Sequence, residues 1–418
     1  MVVHGEIWTA KELFVLPNEF IYWSIQIVMY PFMTGLVAGA FVLSSLYHVF
    51  GFKQLKDIAR FSLVFSFALL PVAMLPLMLH LSQPLRGSHV MMTPHFTSAI
   101  SAFGVVFLTY ACIVGSELWF VYREHFVETA TALKNKSMRS SGENLRMKVF
   151  SLLTLGAWDI SPAALQKDHK AVTVLSAVGI PVACFLHGYA GFIFGSVKAN
   201  ALWMTPLMPV IFICSAVVSG IALCILCYIV TMEIRKFLAA RRNAKSADIP
   251  SIEQLKGAQA QEVRMSSRYL LIFMILAVTL ELLDMIFRGY TAVKSWDILR
   301  SVIYERDFMQ IFILQFGIGN FIPFVLLLLP GLTVRRAALA CTLVLFGVFM
   351  MRWNVVIGGQ AFSLTFAGFM HYHLPIIPDS WETFREGLAG ALLVAVTPFV
   401  LFYFLNKIFP VFLEGEAD

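Results

Sequence analysis

The hydrophobic pattern of the chain is a series of long apolar runs rather than short alternating segments. Each run of about 18 to 25 residues can cross a hydrocarbon core about 30 Å thick as a helix. A membrane β-barrel would instead show alternating segments of about ten residues. The sequence therefore predicts an all-α integral membrane protein. Nine transmembrane helices are predicted, at 20–50, 60–82, 96–122, 171–197, 205–231, 268–289, 308–329, 334–352 and 386–408.

One stretch, 353–378, does not fit this pattern. It contains Gly358, Gly359, His371 and His373, and it is too polar for a clean span yet too apolar for an ordinary loop. Irregular backbone at membrane depth is tolerated only where protein or water covers it. The stretch is therefore expected to be either a re-entrant segment or a tenth helix.

Composition excludes a water-soluble protein, since 59% of the residues are apolar and only 13% are charged. The net charge of +6 would suggest a nucleic-acid partner in a soluble protein. Here most Lys and Arg residues lie in loops between the apolar runs, at 51–59, 123–170, 232–267 and 330–336. Because such loops stay in the cytoplasm, the N-terminus is predicted to lie outside, with membrane lipids and no nucleic acid as partners.

The basic 232–267 loop separates five predicted helices from four, which indicates two helical bundles. No cleavable signal peptide is expected, because the first residues carry Glu6, Lys11 and Glu12 and lack a basic start before a short apolar core. The predicted division is a periplasmic segment 1–19, a first bundle 20–231 with its basic loop 123–170, a cytoplasmic linker 232–267, a second bundle 268–408 and a tail 409–418.

The cysteine and histidine residues show no pattern typical of a bound cofactor. All six cysteines fall in apolar runs, where they behave as small hydrophobic side chains. Cys224 and Cys227 form a CxxC, but no second pair accompanies them. The intramembrane histidines are not spaced as paired haem ligands on two helices. The sequence thus predicts no haem, iron–sulfur cluster or metal in this chain.

Hydrogen-bonding side chains on four predicted helices lie at one membrane depth, toward the outer face. A quinone requires a lipophilic slot for its tail and a donor at each carbonyl oxygen, preferably one that can transfer a proton. His and Tyr side chains meet both demands. A hydrogen bond to a neighbouring helix explains any one of these residues equally well, so the prediction depends on the cluster. The predicted quinone-binding residues are Gln26, Tyr30, His80, Ser98, His187 and Tyr189.

A second polar group is predicted near helix 6. Glu281 and Asp284 lie three residues apart and share one helix face, with Arg352 and Asn354 at a similar depth on helix 8. Two carboxylates close together in a low dielectric do not both ionise readily, which suits a proton pathway. A structural ion pair is the alternative, and the sequence leaves both open. Glu117, next to aromatic and basic residues, is expected to be interfacial.

Four segments resemble the NrfD / polysulfide-reductase membrane-subunit (PsrC-like) family over about residues 20–230. They are Tyr30-Pro-Phe-Met-Thr-Gly-Leu-Val-Ala-Gly-Ala-Phe-Val-Leu43, His80-Leu-Ser-Gln-Pro-Leu-Arg86, His187-Gly-Tyr-Ala-Gly191 and Trp203-Met-Thr-Pro-Leu-Met-Pro-Val-Ile-Phe-Ile-Cys-Ser-Ala-Val-Val-Ser-Gly220. The chain departs from the family pattern where His80 replaces an Asp and Gln83 replaces an Arg. No role of that carboxylate is therefore transferred. The segment from Arg352 to Gln360 resembles longer members, found in alternative complex III and in the Qrc and Dsr complexes.

The resemblance implies a non-autonomous subunit of a quinone oxidoreductase complex in a bacterial or archaeal cytoplasmic membrane, with a menaquinone site toward the periplasm. It also implies a periplasmic ferredoxin-like iron–sulfur partner, a molybdopterin-family-like subunit and a multihaem cytochrome c. The favoured assignment is a Qrc-type (QrcD-like) menaquinone reductase subunit in anaerobic respiration with sulfate reduction. A menaquinol-oxidising subunit of a Dsr-type (DsrP-like) complex or of alternative complex III is the alternative.

A hypothesis of another class is a secondary transporter or ion-translocating protein. In that case Glu281, Asp284 and Arg352 would form the substrate or proton site. The two classes differ in their partners, because a redox subunit requires other proteins to deliver electrons while a transporter acts alone. Since the chain has no convincing motif for a flavin, a nucleotide, a cluster or a metal, a redox subunit of this sequence would be catalytic only with partners.

Overall fold

A computed structural model describes residues 21–412, with gaps at 94, 96, 138–139, 199, 242–251, 292–295 and 363–367. The predicted periplasmic segment 1–19 lies outside the described residues. The same holds for part of the predicted linker and for most of the predicted tail.

The fold is all-α, as predicted, and nine helices of the described residues are long and apolar enough to cross a membrane. Short helices connect several of them. The nine are α1 (Ile25–His48), α2 (Lys56–Val72, continued by Leu75–His80), α3 (Ala99–Asn135), α4 (Pro162–Gly195), α5 (Met208–Arg241), α6 (Ile252–Tyr290), α7 (Met309–Phe321, π-helical, continued by Ile322–Leu328), α8 (Val334–Trp353, followed by the π-helical turn Asn354–Gly358) and α9 (Leu388–Leu405).

The helices extend well into the segments that the sequence assigned to basic loops. Within 123–170, α3 continues to Asn135, a separate helix covers Ser141–Leu153, and α4 begins at Pro162. Local capping explains these boundaries, because Ser140 and Glu143 form a reciprocal capping box before the middle helix. A helix segment that projects into water need not be apolar. Helix ends predicted from apolar runs alone therefore fall too early.

The stretch 353–378 does not form a spanning helix in its described part. After the π-helical turn the chain is irregular, with one isolated bridge between Phe362 and Phe369. The backbone N–H of Ile21 donates to the carbonyl of His371 at 3.0 Å, so this segment covers the end of the molecule where α1 begins. We call this end, marked by Ser24, His80 and Glu386, the Ser24 end, and the opposite one the His48 end.

Helix α1 is the centre of the fold and is buried along almost its entire length. Its closest neighbour is α5, and the two backbones touch where Gly39 meets Gly220. A Cβ on Gly39 would lie 2.2 Å from the carbonyl oxygen of Ala216. Small residues at such crossings let the backbones of membrane helices approach closely. The crossing therefore fixes α1 against α5.

We expect Gly39→Ala to lower the free energy of unfolding of the purified protein by about 1 to 3 kcal/mol, because the added methyl group must push the α5 backbone away. Gly115→Ala is the matched control, since the nearest atom to its Cβ would be 3.8 Å away, on Phe67. Denaturant titration in detergent measures both. Equal stability of the two variants would contradict the tight crossing.

The last helix, α9, packs against α2 rather than only against the later helices. Phe402 of α9 has its ring centroid 5.0 Å from that of Phe61 and 5.3 Å from that of Phe65, and Phe399 lies 5.7 Å from Phe65. The C-terminal segment, grouped by sequence with the second bundle, thus contributes to the first. The short helix Trp381–Glu386, just before α9, places Glu386 beside His80 at the end of α2.

Candidate functional site

A histidine and a carboxylate meet at the Ser24 end. Nδ1 of His80, the last residue of its helix, lies 2.8 Å from Oε2 of Glu386. The Ser24 hydroxyl donates to the same carboxylate oxygen, and it also lies 3.3 Å from Nδ1 of His80. The two side chains are 22% and 17% exposed, so they retain access to the surroundings. A proton shared by imidazole and carboxylate can therefore be exchanged here.

Neighbouring contacts fix this pair between the first and the last helices. Nε2 of Gln26 donates to the carbonyl of Arg385 at 2.6 Å, and Nη1 of Arg385 donates to the carbonyl of Leu81 at 3.0 Å. Oε1 of Gln26 is buried and has no hydrogen-bond partner among the described residues. The cluster thus retains one unused buried acceptor beside a proton-exchanging pair.

A tyrosine also lies at this end, but it has a structural role. The backbone N–H of Ile25 donates to the hydroxyl oxygen of Tyr372 at 2.8 Å. Burial raises the pKa of Tyr372 to about 12, so the hydroxyl remains protonated near neutral pH. Tyr372 therefore holds the start of α1 in place and does not titrate near neutral pH.

Aromatic rings join two of the predicted quinone ligands beside this cluster. The Phe103 centroid lies 5.9 Å from that of Tyr30 and 6.4 Å from that of Tyr189. Tyr189 also contacts Phe185 and Phe192, both of which are exposed on the membrane-facing side of α4. Ser98, a further predicted ligand, is half-buried at the start of α3. The rings form an apolar wall between α1 and the lipid-facing surface.

His187 lies deeper and is completely buried. Nη2 of Arg352 donates to its Nε2 at 3.0 Å, so Nε2 carries no proton, because a guanidinium cannot accept a hydrogen bond. Nδ1 therefore holds the hydrogen and donates to the Thr34 hydroxyl at 3.3 Å. The hydroxyl of Ser215 accepts a further bond from Arg352 at 2.6 Å, and the guanidinium lies 3.9 Å from the centroid of Phe212. This network fixes His187 as one neutral tautomer.

Five of the six predicted quinone ligands, all except Ser98, thus occupy three levels along α1 rather than a single pocket. Gln26, Tyr30 and Thr34 are spaced four residues apart, so they follow one side of the helix over about 12 Å. Gln26 and His80 belong to the level at the Ser24 end. Tyr30 and Tyr189 border the aromatic wall, and His187 forms the buried level.

The second predicted group forms a chain of hydrogen bonds across the later helices. Nε2 of Gln315 donates to Glu281 at 2.7 Å, and Nδ2 of Asn354 donates to Oε1 of Gln315 at 2.7 Å. Gln315 and Asn354 both lie on π-helical segments, which are frequent at functional sites. Glu281 interacts electrostatically with Arg352, so the chain adjoins the His187 network.

Asp284, by contrast, takes its own partners. Its carboxylate lies 2.9 Å from Nε of Arg288 and accepts a hydrogen bond from Thr205 at 2.6 Å. Arg288 in turn donates to the carbonyls of Ala201 and Leu202. Glu281 and Asp284 share a helix face, yet among the described residues only Asp284 of the two belongs to an ion pair, which ties α6 to the segment before α5.

The two carboxylates should therefore respond differently to substitution. Asp284→Asn leaves the buried Arg288 without its anion, and we expect a loss of about 3 to 5 kcal/mol in stability, seen as poor assembly of the purified protein. Glu281→Gln can keep a hydrogen bond to Gln315 and loses only a longer-range interaction with Arg352, so it should lose less stability than Asp284→Asn and still assemble. Thermal unfolding in detergent compares them, and a less stable Glu281→Gln would reverse the assignment.

Two features of the site were missed by sequence reasoning. Glu386 is separated from His80 by 306 positions, and no local pattern connects them. Glu117, expected to be interfacial, is fully buried and accepts a hydrogen bond from Ser176 at 2.7 Å. The described residues contain no group of three or more His, Cys, Asp or Glu side chains that could hold a metal ion.

Comparison with known proteins gives a family match that covers most of the chain. The family model described as "Polysulphide reductase, NrfD" matches residues 16–364. A selenate reductase subunit of Mesobacillus selenatarsenatis is 34% identical over 214 residues, which is 49% of this chain and 47%, or about half, of that relative. A putative dimethyl sulfoxide reductase membrane subunit of Halobacterium salinarum is 23% identical over 391 residues, 90% of this chain and 78% of the relative. Protein NrfD of Escherichia coli is 25% identical over 242 residues, 57% of this chain and 67% of the relative.

Proposed function

This chain belongs to the polysulphide reductase NrfD family, as its sequence motifs predicted, and from that premise we propose that it is the quinone-binding membrane subunit of a respiratory reductase complex. The single observation that carries the proposal is the His80–Glu386 pair at the Ser24 end. A group that exchanges protons at the edge of an apolar bundle is what quinone chemistry requires of a protein. The names of two relatives, which belong to selenate and dimethyl sulfoxide reductases, support a place in such a complex.

The residues have separate roles in this proposal. When bound, a quinone takes up or releases two electrons and two protons. The His80–Glu386 pair would give one proton to a ring oxygen in quinone reduction, or take it in quinol oxidation, and the second proton would be exchanged with water at this partly exposed end. The unpartnered Oε1 of Gln26 would accept a hydrogen bond from a quinol hydroxyl. Tyr30, Phe103 and Tyr189 supply an apolar face for the ring, with a route to lipid past the exposed side of α4.

We further propose menaquinone as the quinone, with the Ser24 end toward the periplasm and electrons exchanged with an iron–sulfur partner there. Exposed apolar side chains outside the spanning helices support a docking surface at that end. Leu85 is 92% exposed, Ile377 85% and Trp381 72%. Apolar groups outside the membrane that face water usually mark an interaction site. The resemblance also supports a molybdopterin-family-like subunit, a multihaem cytochrome c and net menaquinone reduction.

Isolation of the intact complex from native membranes, through a tag on this chain, tests the proposal. We expect co-purifying iron–sulfur protein, bound menaquinone, and quinone-dependent turnover that falls by about one to two decades in His80→Ala. The matched control is His373→Ala, a second histidine of the segment at the Ser24 end. A chain that purifies alone and moves ions in liposomes without a partner would instead support the transporter hypothesis.

A proton pathway through the second bundle is a second candidate function. The chain from Glu281 through Gln315 to Asn354 supports it, because these hydrogen bonds connect a carboxyl to the surroundings of Arg352. Proton release measured in vesicles, with Glu281→Gln against the wild type, tests it. If the proton stoichiometry of that variant is unchanged, the hydrogen bonds between Glu281, Gln315 and Asn354 serve packing alone.

A further inference from the structure

A titratable side chain at the opposite end of the first bundle has no role in the site described above. Glu117, on α3, is fully buried. Its Oε1 accepts a hydrogen bond from the Ser176 hydroxyl of α4 at 2.7 Å, and its Oε2 has no hydrogen-bond partner among the described residues. A buried carboxyl oxygen without a partner requires an explanation, since such groups are costly in a membrane protein.

Among the described residues, Glu117 has no salt-bridge partner. Arg123, six residues further along α3, is occupied by the carboxylate of Asp168, at 2.5 and 2.8 Å, and by the carbonyls of Ala157 and Asp159. An unpaired carboxylate in a low dielectric loses so much hydration energy that it takes up a proton instead. Glu117 therefore carries a proton, and an internal water is the simplest acceptor for it.

Two histidines lie at the His48 end of the first bundle. On α4, His169 is exposed and lies two turns from Ser176, about 10 Å along the helix axis. His48, at the end of α1, interacts electrostatically with His169 and with Arg60. Both ring nitrogens of His48 are buried without a hydrogen-bond partner among the described residues. Tyr110, two turns earlier on α3, interacts electrostatically with the Glu117 carboxyl.

We propose that Glu117 is a proton-binding site in the first bundle, filled from the His48 end through His169 and His48. The unpartnered oxygen and the unpartnered ring nitrogens are the points at which water molecules complete the path. This path is distinct from the Glu281 chain, which lies on the later helices. The purpose of the path rests on the proposed function, since the path would supply protons from the side opposite the His80–Glu386 pair. The existence of a proton-binding site at Glu117 does not rest on that function.

Infrared difference spectroscopy of the intact complex tests the proposal without any turnover. We expect Glu117→Gln to lose one carboxylic-acid carbonyl band of the wild type, and Ser176→Ala to shift that band by removing its hydrogen bond. In deuterated buffer the band should exchange in the wild type and at least tenfold more slowly in His48→Leu. Glu281→Gln is the control, since it should leave this band in place.

Two results would overturn the proposal. If Glu117→Gln removes no acid carbonyl band, the side chain is ionised and structural. If the band exchanges equally fast with and without His48, the path does not run through that histidine. Should Glu117→Gln fail to assemble, the Ser176→Ala shift and the His48→Leu exchange rate decide the question, because both variants retain the carboxyl. A failure of the proposed quinone turnover would contradict the proposed function, but it would leave these infrared bands unchanged.

Discussion

Replacement of Glu386 by glutamine should lower quinone-dependent turnover of the intact complex by about 100-fold, the lower end of what a positioned acid–base group contributes. The amide keeps the shape of the side chain and can still bond to Ser24 and His80. It cannot accept the proton that the imidazole shares with the carboxylate. We therefore expect the effect mainly in kcat, with a smaller change in KM for a soluble menaquinone analogue.

Glu382→Gln is the matched control for this variant. It removes the same charge from the same short helix, Trp381–Glu386, at an exposed position. The split between kcat and KM gives a second measure, because Glu382→Gln should keep the wild-type values of both. Turnover of Glu386→Gln within twofold of the control would remove the His80–Glu386 pair from the mechanism.

Arg352→Leu should lower the free energy of unfolding by about 2 to 4 kcal/mol. The guanidinium is fully buried and donates to His187 and Ser215, so its loss leaves two polar groups in an apolar interior, at about 1 to 3 kcal/mol each. Arg352→Lys should recover only part of this, because an ammonium cannot stack over the Phe212 ring as a guanidinium does while Nη2 donates to both His187 and Ser215. Denaturant unfolding in detergent measures all three proteins.

The double variant Arg352→Leu with His187→Phe shows whether the effect comes from that contact. If both partners of a buried hydrogen bond are replaced by apolar groups, little is left unsatisfied. We therefore expect the double variant to be more stable than Arg352→Leu alone, with an interaction energy of about 1 kcal/mol or more. Purely additive losses would mean that the two side chains do not depend on each other.

The membrane helices could be predicted because their cause is local. A run such as Ile25–His48 must bury its own backbone hydrogen bonds in lipid, and its apolar composition is visible without any partner. Helix ends were less predictable. Charged residues from Arg123 onward resemble a loop, although α3 continues to Asn135. That error also placed Glu117 at an interface, because Asp168 buries the arginine that seemed to mark the membrane boundary.

Candidate site residues were found by type, but their partners were not. His187 and Arg352 were assigned to separate groups, and the structure joins them through a contact across 165 positions. His80 was chosen for its depth, whereas its carboxylate partner comes from the last helical segment, beyond the region that matches the family. Contacts of this kind depend on how helices far apart in the sequence pack together, and the hydrophobic periodicity of a single sequence does not predict that packing.

The position of Glu386 near the end of the chain has a consequence for biogenesis. At about 5 to 20 residues per second, the ribosome needs about 15 to 60 s to make the 306 residues that separate His80 from its partner. Throughout that time the surface of α2 around Phe61 and Phe65, which α9 later covers, must be shielded by lipid or by the insertion machinery. The His80–Glu386 pair therefore forms only after most of the chain has been made, and a prematurely terminated chain lacks the pair on which the proposed quinone chemistry depends.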